Sequence, residues 1–391
     1  MDHQRRRARL LLLLLSAAIA STRTLAQFDL EDSHTKASLR GIHSLGDGIA
    51  WASGTDGTVL RTKDGGYLWQ GCAIPPGAEH LDFRGIQASD ENTAVVMSSG
   101  KGDLSRLYKT TDGCRTWRLL FTNPDKEGFW DTLVLDPRRF TGPGGTRAFL
   151  LGDPVNNKFV LYSSMDTGET WRRWSDNIAE RPARAAEGES LFAASNGVAV
   201  LTGGVESLVF VTGGSGGSHL FLLERHDILG RNRWISFTRS ELPFPHGSSS
   251  GAFSIAARVV GYPERGLADF MVVGGDYAHP ESPGVAAFLP TRKYCCAWLV
   301  PQVVRKAVIQ PHGYRSSVAY EPKSKAWITV GPNGSDYSTD DGKNWTALKP
   351  GPGQPADTDK NWNALSLPFV VGPHGRIGKL RSDALAAGSK P

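Results

Sequence analysis

Residues 110–117 read Thr110-Thr111-Asp112-Gly113-Cys114-Arg115-Thr116-Trp117, and this octet decides the fold because it recurs. It appears as Thr62-Lys63-Asp64-Gly65-Gly66-Tyr67-Leu68-Trp69, as Ser164-Met165-Asp166-Thr167-Gly168-Glu169-Thr170-Trp171, and as Ser338-Thr339-Asp340-Asp341-Gly342-Lys343-Asn344-Trp345. Two worn copies keep mainly the tryptophan, at Trp234 and Trp298. The six tryptophans lie 48, 54, 63, 64 and 47 residues apart, the period of a propeller blade. An Asp followed by Gly caps backbone N–H groups in a tight turn while Gly takes positive φ. The Trp then supplies apolar area between neighbouring sheets. Asp64, Asp112, Asp166 and Asp340 are therefore read as four copies of one structural turn rather than as catalytic acids.

A second series lies between the boxes. It runs Leu39-Arg40-Gly41-Ile42, Phe83-Arg84-Gly85-Ile86, Trp130-Asp131-Thr132-Leu133, Ser190-Leu191-Phe192-Ala193, Ala252-Phe253-Ser254-Ile255, Tyr314-Arg315-Ser316-Ser317 and Trp362-Asn363-Ala364-Leu365. Each precedes a β-rich run, and those runs mostly end in Gly: Gly54, Gly100, Gly152, Gly203, Gly274, Gly331 and Gly372. The pattern reads as inner strand, second strand, third strand, box, outer strand. Seven such units average about 52 residues each. The expected fold is all-β, a seven-bladed propeller of four-stranded antiparallel blades. The seventh unit runs out near Leu380, so a strand from residues 28–38 is expected to close the ring and remove its open edge. Gly213–Ser218 and Gly247–Gly251 read as loop insertions.

Composition bounds the rest. The chain has 391 residues, 40% apolar and 21% charged, with only four cysteines. It is ordinary globular stock and no disulfide-rich mini-domain. Arg5, Arg6, Arg7 and Arg9 precede an apolar run, Leu10 to Ala20, and small residues at Ala18–Ala20 and Thr24–Ala26 offer cleavage sites. Residues 1–26 read as a secretory signal, too short for a membrane span, and residues 27–391 as one propeller domain. Cleavage after Ala26 removes five arginines and Asp2, taking the formal charge from +5 to +1. The mature chain is thus expected in the periplasm or outside the cell, nearly neutral, and without nucleic acid as a partner. No P-loop or His-Glu-x-x-His occurs, Gly-x-Ser-x-Gly matches only the Gly/Ser-rich stretches Gly213–Gly217 and Gly247–Gly251, and no cofactor or metal is expected. Two cysteine readings stay open. Cys72 and Cys114 are a candidate bridge, and Cys295-Cys296 is either a vicinal disulfide or two thiols.

With Val273-Gly274-Gly275-Asp276-Tyr277 and Gly331-Pro332-Asn333-Gly334-Ser335-Asp336 added to the boxes and the Arg-Gly-Ile starts, the sequence resembles the photosystem II stability/assembly factor-like propellers. These belong to the wider Asp-box (bacterial neuraminidase repeat) group. The resemblance implies a non-catalytic propeller outside the cytoplasm that binds a protein or peptide.

Propeller topology brings inner-strand starts and second-strand ends to one mouth of the central channel. Arg40, Arg84 and Arg315 are expected there as a partner-binding patch, together with Trp130, Asp153 and Asp276. Arginine forks suit a carboxylate-bearing segment. The plainer alternative is that each arginine pairs with a neighbouring carboxylate. The competing reading is a sialidase-like or other glycoside hydrolase, for which Asp131, Glu189 and Tyr277 are the available residues. Against it, Arg84 is followed by Gly85-Ile86 where sialidases carry Arg-Ile-Pro, and no Glu–Tyr–Arg set has an identifiable spacing.

Overall fold

Seven antiparallel sheets follow one another along the described residues, six of four strands and the fifth extended to six by two short strands. The computed structural model describes residues 27–136, 147–174, 183–202, 207–228, 232–260, 268–290 and 303–385. Cys295, Cys296 and Trp298, like residues 1–26, lie outside them. Blade 1 begins with the inner strand Leu39–Gly46, blade 2 with Phe83–Ala88 and blade 3 with Trp130–Leu135. Blade 4 begins with Ala199–Thr202, blade 5 with Ser250–Val259, blade 6 with Ser317–Glu321 and blade 7 with Ala364–Ser366. Each inner strand packs beside the next, and the seventh returns to the first. The ring is closed as expected, since Phe28–Glu31 pairs antiparallel with Ile377–Leu380 as the outer strand of blade 7.

The boxes form one turn four times. The first hydroxyl accepts the N–H four residues on, from Gly66, Cys114, Gly168 and Gly342, at 2.9–3.0 Å. The Asp carboxylate accepts another N–H four residues beyond itself, from Leu68, Thr116, Thr170 and Asn344. All four turns lie between third and outer strands, away from the channel. Trp69, Trp117 and Trp345 are buried between blades, whereas Trp171 is only half-buried. Cys72 and Cys114 are disulfide-bonded, joining the end of blade 1 to the box of blade 2.

Two sequence assignments need correction. In blade 4 the β-rich run before Gly203, expected as a second strand, forms the inner strand Ala199–Thr202, which pairs with Ser207–Val211. Ser190–Ala193 is no inner strand, because Glu189–Ser190 pairs with Gly213–Gly214 instead. Gly213 is therefore a close backbone approach and not a free insertion, since a Cβ on it would lie 2.8 Å from Gly251 Cα.

The second correction is a one-residue slip. In blades 1, 2, 3 and 5 the inner strand bulges near its start, at Arg40, Arg84, Asp131 and Phe253 respectively. A bulge leaves one residue unpaired and re-aims its side chain. In blade 1, Leu39 N donates to Gly372 O of the preceding blade. Trp362 N to Gly331 O and Arg315 N to Gly274 O repeat that bond. Arg315 thus takes the place of Leu39, between blades, and Ser316 takes the place of Arg40. A slip of one residue moves a side chain to the opposite face.

Candidate functional site

The mouth is built from bulge residues and from a strap with no counterpart in the repeats. Arg40 and Arg84 both reach Asp82, which directly precedes the inner strand of blade 2. Arg84 Nε donates to Asp82 Oδ2 at 2.8 Å, and Arg40 Nε lies 3.3 Å from Oδ1. Their side chains are 28% and 31% exposed, so a ligand can reach them. Two guanidiniums on one carboxylate leave an excess of positive charge. Burial lowers the Arg40 pKa, Asp82 opposes this, and Arg84 adds repulsion. A second carboxylate would relieve that repulsion.

Arg315 does not join them. It is completely buried, its Nε donating to Asp336 Oδ2 at 2.7 Å. Its terminal nitrogens go to Asp336, to Asn333 Oδ1 at 2.8 Å, and to the carbonyls of Tyr314 and His312. Trp130 is also unavailable to a partner, since it is buried and stacked on Phe121 at 5.3 Å. Asp276 is partly exposed but caps its own turn through Ala278 N and His279 Nδ1. Hydrogen bonds from Ser249 and His279 hold its pKa down at about 2.

The strap is Leu191–Gly197. Asp153 Oδ1 accepts Leu191 N at 3.0 Å, and Ala193 O accepts Arg84 Nη1 at 3.3 Å. Ser195 Oγ donates to Ser316 O of blade 6 at 2.7 Å. The Asn196 side chain satisfies both Leu133 N and Leu133 O of blade 3, and Gly197 O accepts Ile255 N of blade 5. One short segment thus bonds to the inner ends of blades 2, 3, 5 and 6 across the channel. Gly85 is needed here, since a Cβ on it would lie 2.7 Å from Asn196 Oδ1.

The three residues named for hydrolysis are split by this arrangement. Asp131 is 1% exposed, and its Oδ2 has no hydrogen-bond partner. Burial first, and then neighbouring Asp153, raise its pKa well above the carboxylate range, with Arg84 pulling the other way. Glu189 is buried elsewhere, bonded to Thr212, His219, Arg239 and Ala186 N. Burial opposes its ionisation, but these bonds hold its pKa down. Tyr277 alone is open, 53% exposed. Neither carboxyl faces an open mouth, as flanking a glycosidic bond requires. The sequence reading named Tyr277 but missed Asp82, the strap and the other aromatic residues at the mouth. Phe253 was the one with a signal, since it stands in its repeat where Arg40 stands in the first. Among the described residues no group of three or more His, Cys, Asp or Glu is arranged to hold a metal.

Burial raises the Asp153 pKa to about 6, and the Leu191 N–H only partly offsets this. A folded state that holds a proton more tightly than the unfolded chain is favoured at low pH. Its stability is lost as pH rises from the ordinary value of 3.8 through about 6. At 1.36 kcal/mol per unit, ionised Asp153 costs roughly 3 kcal/mol at pH 7. Asp153→Asn keeps an acceptor for Leu191 N, and is expected to gain up to about that amount at pH 7 and little at pH 4. Urea unfolding at the two pH values checks this, and equal effects at both would refute it.

The fold and mouth define a seven-bladed β-propeller with an arginine-bearing, strap-sealed channel entrance. In particular, the fold is shared with YCF48. A structure of YCF48 bound to D1 peptide superposes with TM-score 0.54 at 13% identity, over 92% of this chain and 98% of that one. YCF48 from Cyanidioschyzon merolae gives 0.55 at 16%, over 92% and 100%. The GH74 xyloglucanase from Xanthomonas campestris gives 0.55 at 15%, over 91% of this chain but only 54% of that one. No protein-family model matches the chain, and no curated protein does.

Proposed function

We propose that the protein is an exported, assembly-factor-like propeller that binds a peptide segment at the mouth, with Arg40 and Arg84 receiving a carboxylate. The observation that carries this is the pairing of two accessible guanidiniums with the single carboxylate of Asp82. The raised pKa of Asp131 reinforces it, since burial weakens the share of that carboxyl in cancelling the positive charge. The neighbour solved with D1 peptide supports peptide binding on this fold. Export is supported by the basic and apolar residues of the first 26 positions and by the Cys72–Cys114 disulfide, a bond of oxidising compartments.

Replacing Arg40 and Arg84 together by Lys keeps charge and removes the bidentate fork. Affinity for the partner is expected to fall about tenfold or more, consistent with the loss of one charge-assisted hydrogen bond. It should weaken further with salt, because the rim is exposed. A pull-down from the exported fraction with wild type and the double variant tests the reading. Equal recovery of every partner by both proteins would sink it. Fractionation for the mature chain tests export separately.

A further inference from the structure

Beside the two arginines lies an aromatic cluster that neither the repeats nor the closure of the ring requires. Phe192, on the strap, stacks on Phe253, the bulge residue of blade 5, with centroids 4.0 Å apart and planes 12° from parallel. Tyr277, on the turn after the second strand of blade 5, meets both rings edge-on at 6.1 and 6.0 Å. Tyr314 meets Phe253 edge-on at 4.7 Å from the other side. Phe253 and Tyr314 are buried, Phe192 is partly covered, and Tyr277 is about half exposed. The cluster is thus a floor of buried rings with one open edge. Ala193, next to Phe192 on the strap, ties the cluster to the basic side, since its carbonyl accepts the Arg84 guanidinium at 3.3 Å. Large apolar side chains left open beside a charged site are a mark of binding surfaces.

We infer that this shelf is a side-chain subsite that selects peptides ending in a large apolar or aromatic residue, with the terminal carboxylate on Arg40 and Arg84 and the terminal side chain against Tyr277 and Phe192. The inference rests on the carboxylate reading of the arginines and adds to it a specificity. Charge and shape agree on the occupant. A C-terminal residue carries its carboxylate and its side chain on one Cα, so anchoring the first on the arginines delivers the second to the adjoining rings. An aromatic or branched side chain gains edge-to-face contact with Tyr277 and loses its own exposed surface, whereas alanine gains neither.

The test is calorimetric titration of the mature chain with four blocked tetrapeptides, acetyl-Gly-Gly-Gly-X, in which X is Phe, Leu or Ala with a free carboxylate, or Phe as the amide. The Phe and Leu acids are expected to bind about tenfold or more tightly than the Ala acid, the ratio that one aromatic contact supports. Tyr277→Ala should erase that ratio and leave the Ala acid unchanged. Tyr277→Phe should keep the ratio and control for folding. Equal affinity for all three acids, with the amide not bound, overturns the shelf while the arginine reading stands. Equal binding of the Phe acid and amide, both lost in Tyr277→Ala, keeps the shelf and removes the carboxylate reading. Binding of none of the acids overturns both. A xyloglucan oligosaccharide that binds in place of the peptides, and is lost in Tyr277→Ala, would assign the rings to sugar stacking and overturn the peptide subsite.

Discussion

Asp336→Ala is expected to destabilise the protein by about 3–5 kcal/mol, which is the usual result of removing one partner of a buried ion pair. Arg315 is completely buried, and its charge is balanced by Asp336, also completely buried. With the carboxylate gone, the guanidinium keeps the neutral acceptors Asn333, Tyr314 O and His312 O but loses its hydrogen-bonded counter-charge and is left with the weaker influence of Asp359. His312 loses its partner too, since its Nδ1 lies 2.6 Å from Asp336 Oδ1. Removing both charges is a different experiment. Arg315→Met with Asp336→Leu leaves no uncompensated ion, and should recover most of the loss. Chemical unfolding of the two single variants and the double variant measures the coupling. An Asp336→Ala protein as stable as wild type would mean that Arg315 reaches solvent, and would restore it to the list of possible ligand-binding arginines.

The second large effect is expected at the boxes. Trp117→Ala should cost about 3–5 kcal/mol, as other large aromatic truncations in a core do. Trp117 is 8% exposed and packs in a cluster that includes Trp51, Phe83 and Tyr108, at the contact of blades 1 and 2. Trp171 holds the same place in its box but is only half-buried, with its Nε1 donating to Gly168 O at 3.0 Å. Trp171→Ala should therefore cost clearly less, because less apolar area returns to water. Thermal or urea unfolding of the two variants side by side checks the ranking. Equal losses would mean that the box tryptophans act through their turn rather than through burial.

Much of this molecule was legible in its sequence because the information was repeated. The octet at 110–117 sets a turn whose bonds are local, from a hydroxyl and a carboxylate to N–H groups four residues on, so four copies yield four equal turns whatever surrounds them. The count of seven units, and the need for a closing strand near Phe28, follow from the same periodicity. Arg40 and Arg84 fall at equivalent positions for the same local reason, since their Leu-Arg-Gly-Ile and Phe-Arg-Gly-Ile contexts share the same bulge.

What the tertiary structure alone decided is register and company. Tyr314-Arg315-Ser316 looks like a third Arg start, yet the bond from Arg315 N to Gly274 O puts it one place earlier, and one place in a strand exchanges solvent for core. The carboxylate beside Arg40 comes from the next repeat, as Asp82, whereas Arg315 meets Asp336 of its own repeat, 21 residues on, in a pairing that no local pattern announces. The strap at Leu191–Gly197 was misread as a strand because its residues are apolar enough for one, and nothing local says that Asn196 must satisfy Leu133 across the channel. Phe192, Phe253, Tyr277 and Tyr314 meet from four separate stretches of chain. Repetition carries a fold, because each unit solves the same local problem. A site is made where units differ, and those differences acquire meaning only when the ring closes and brings them together.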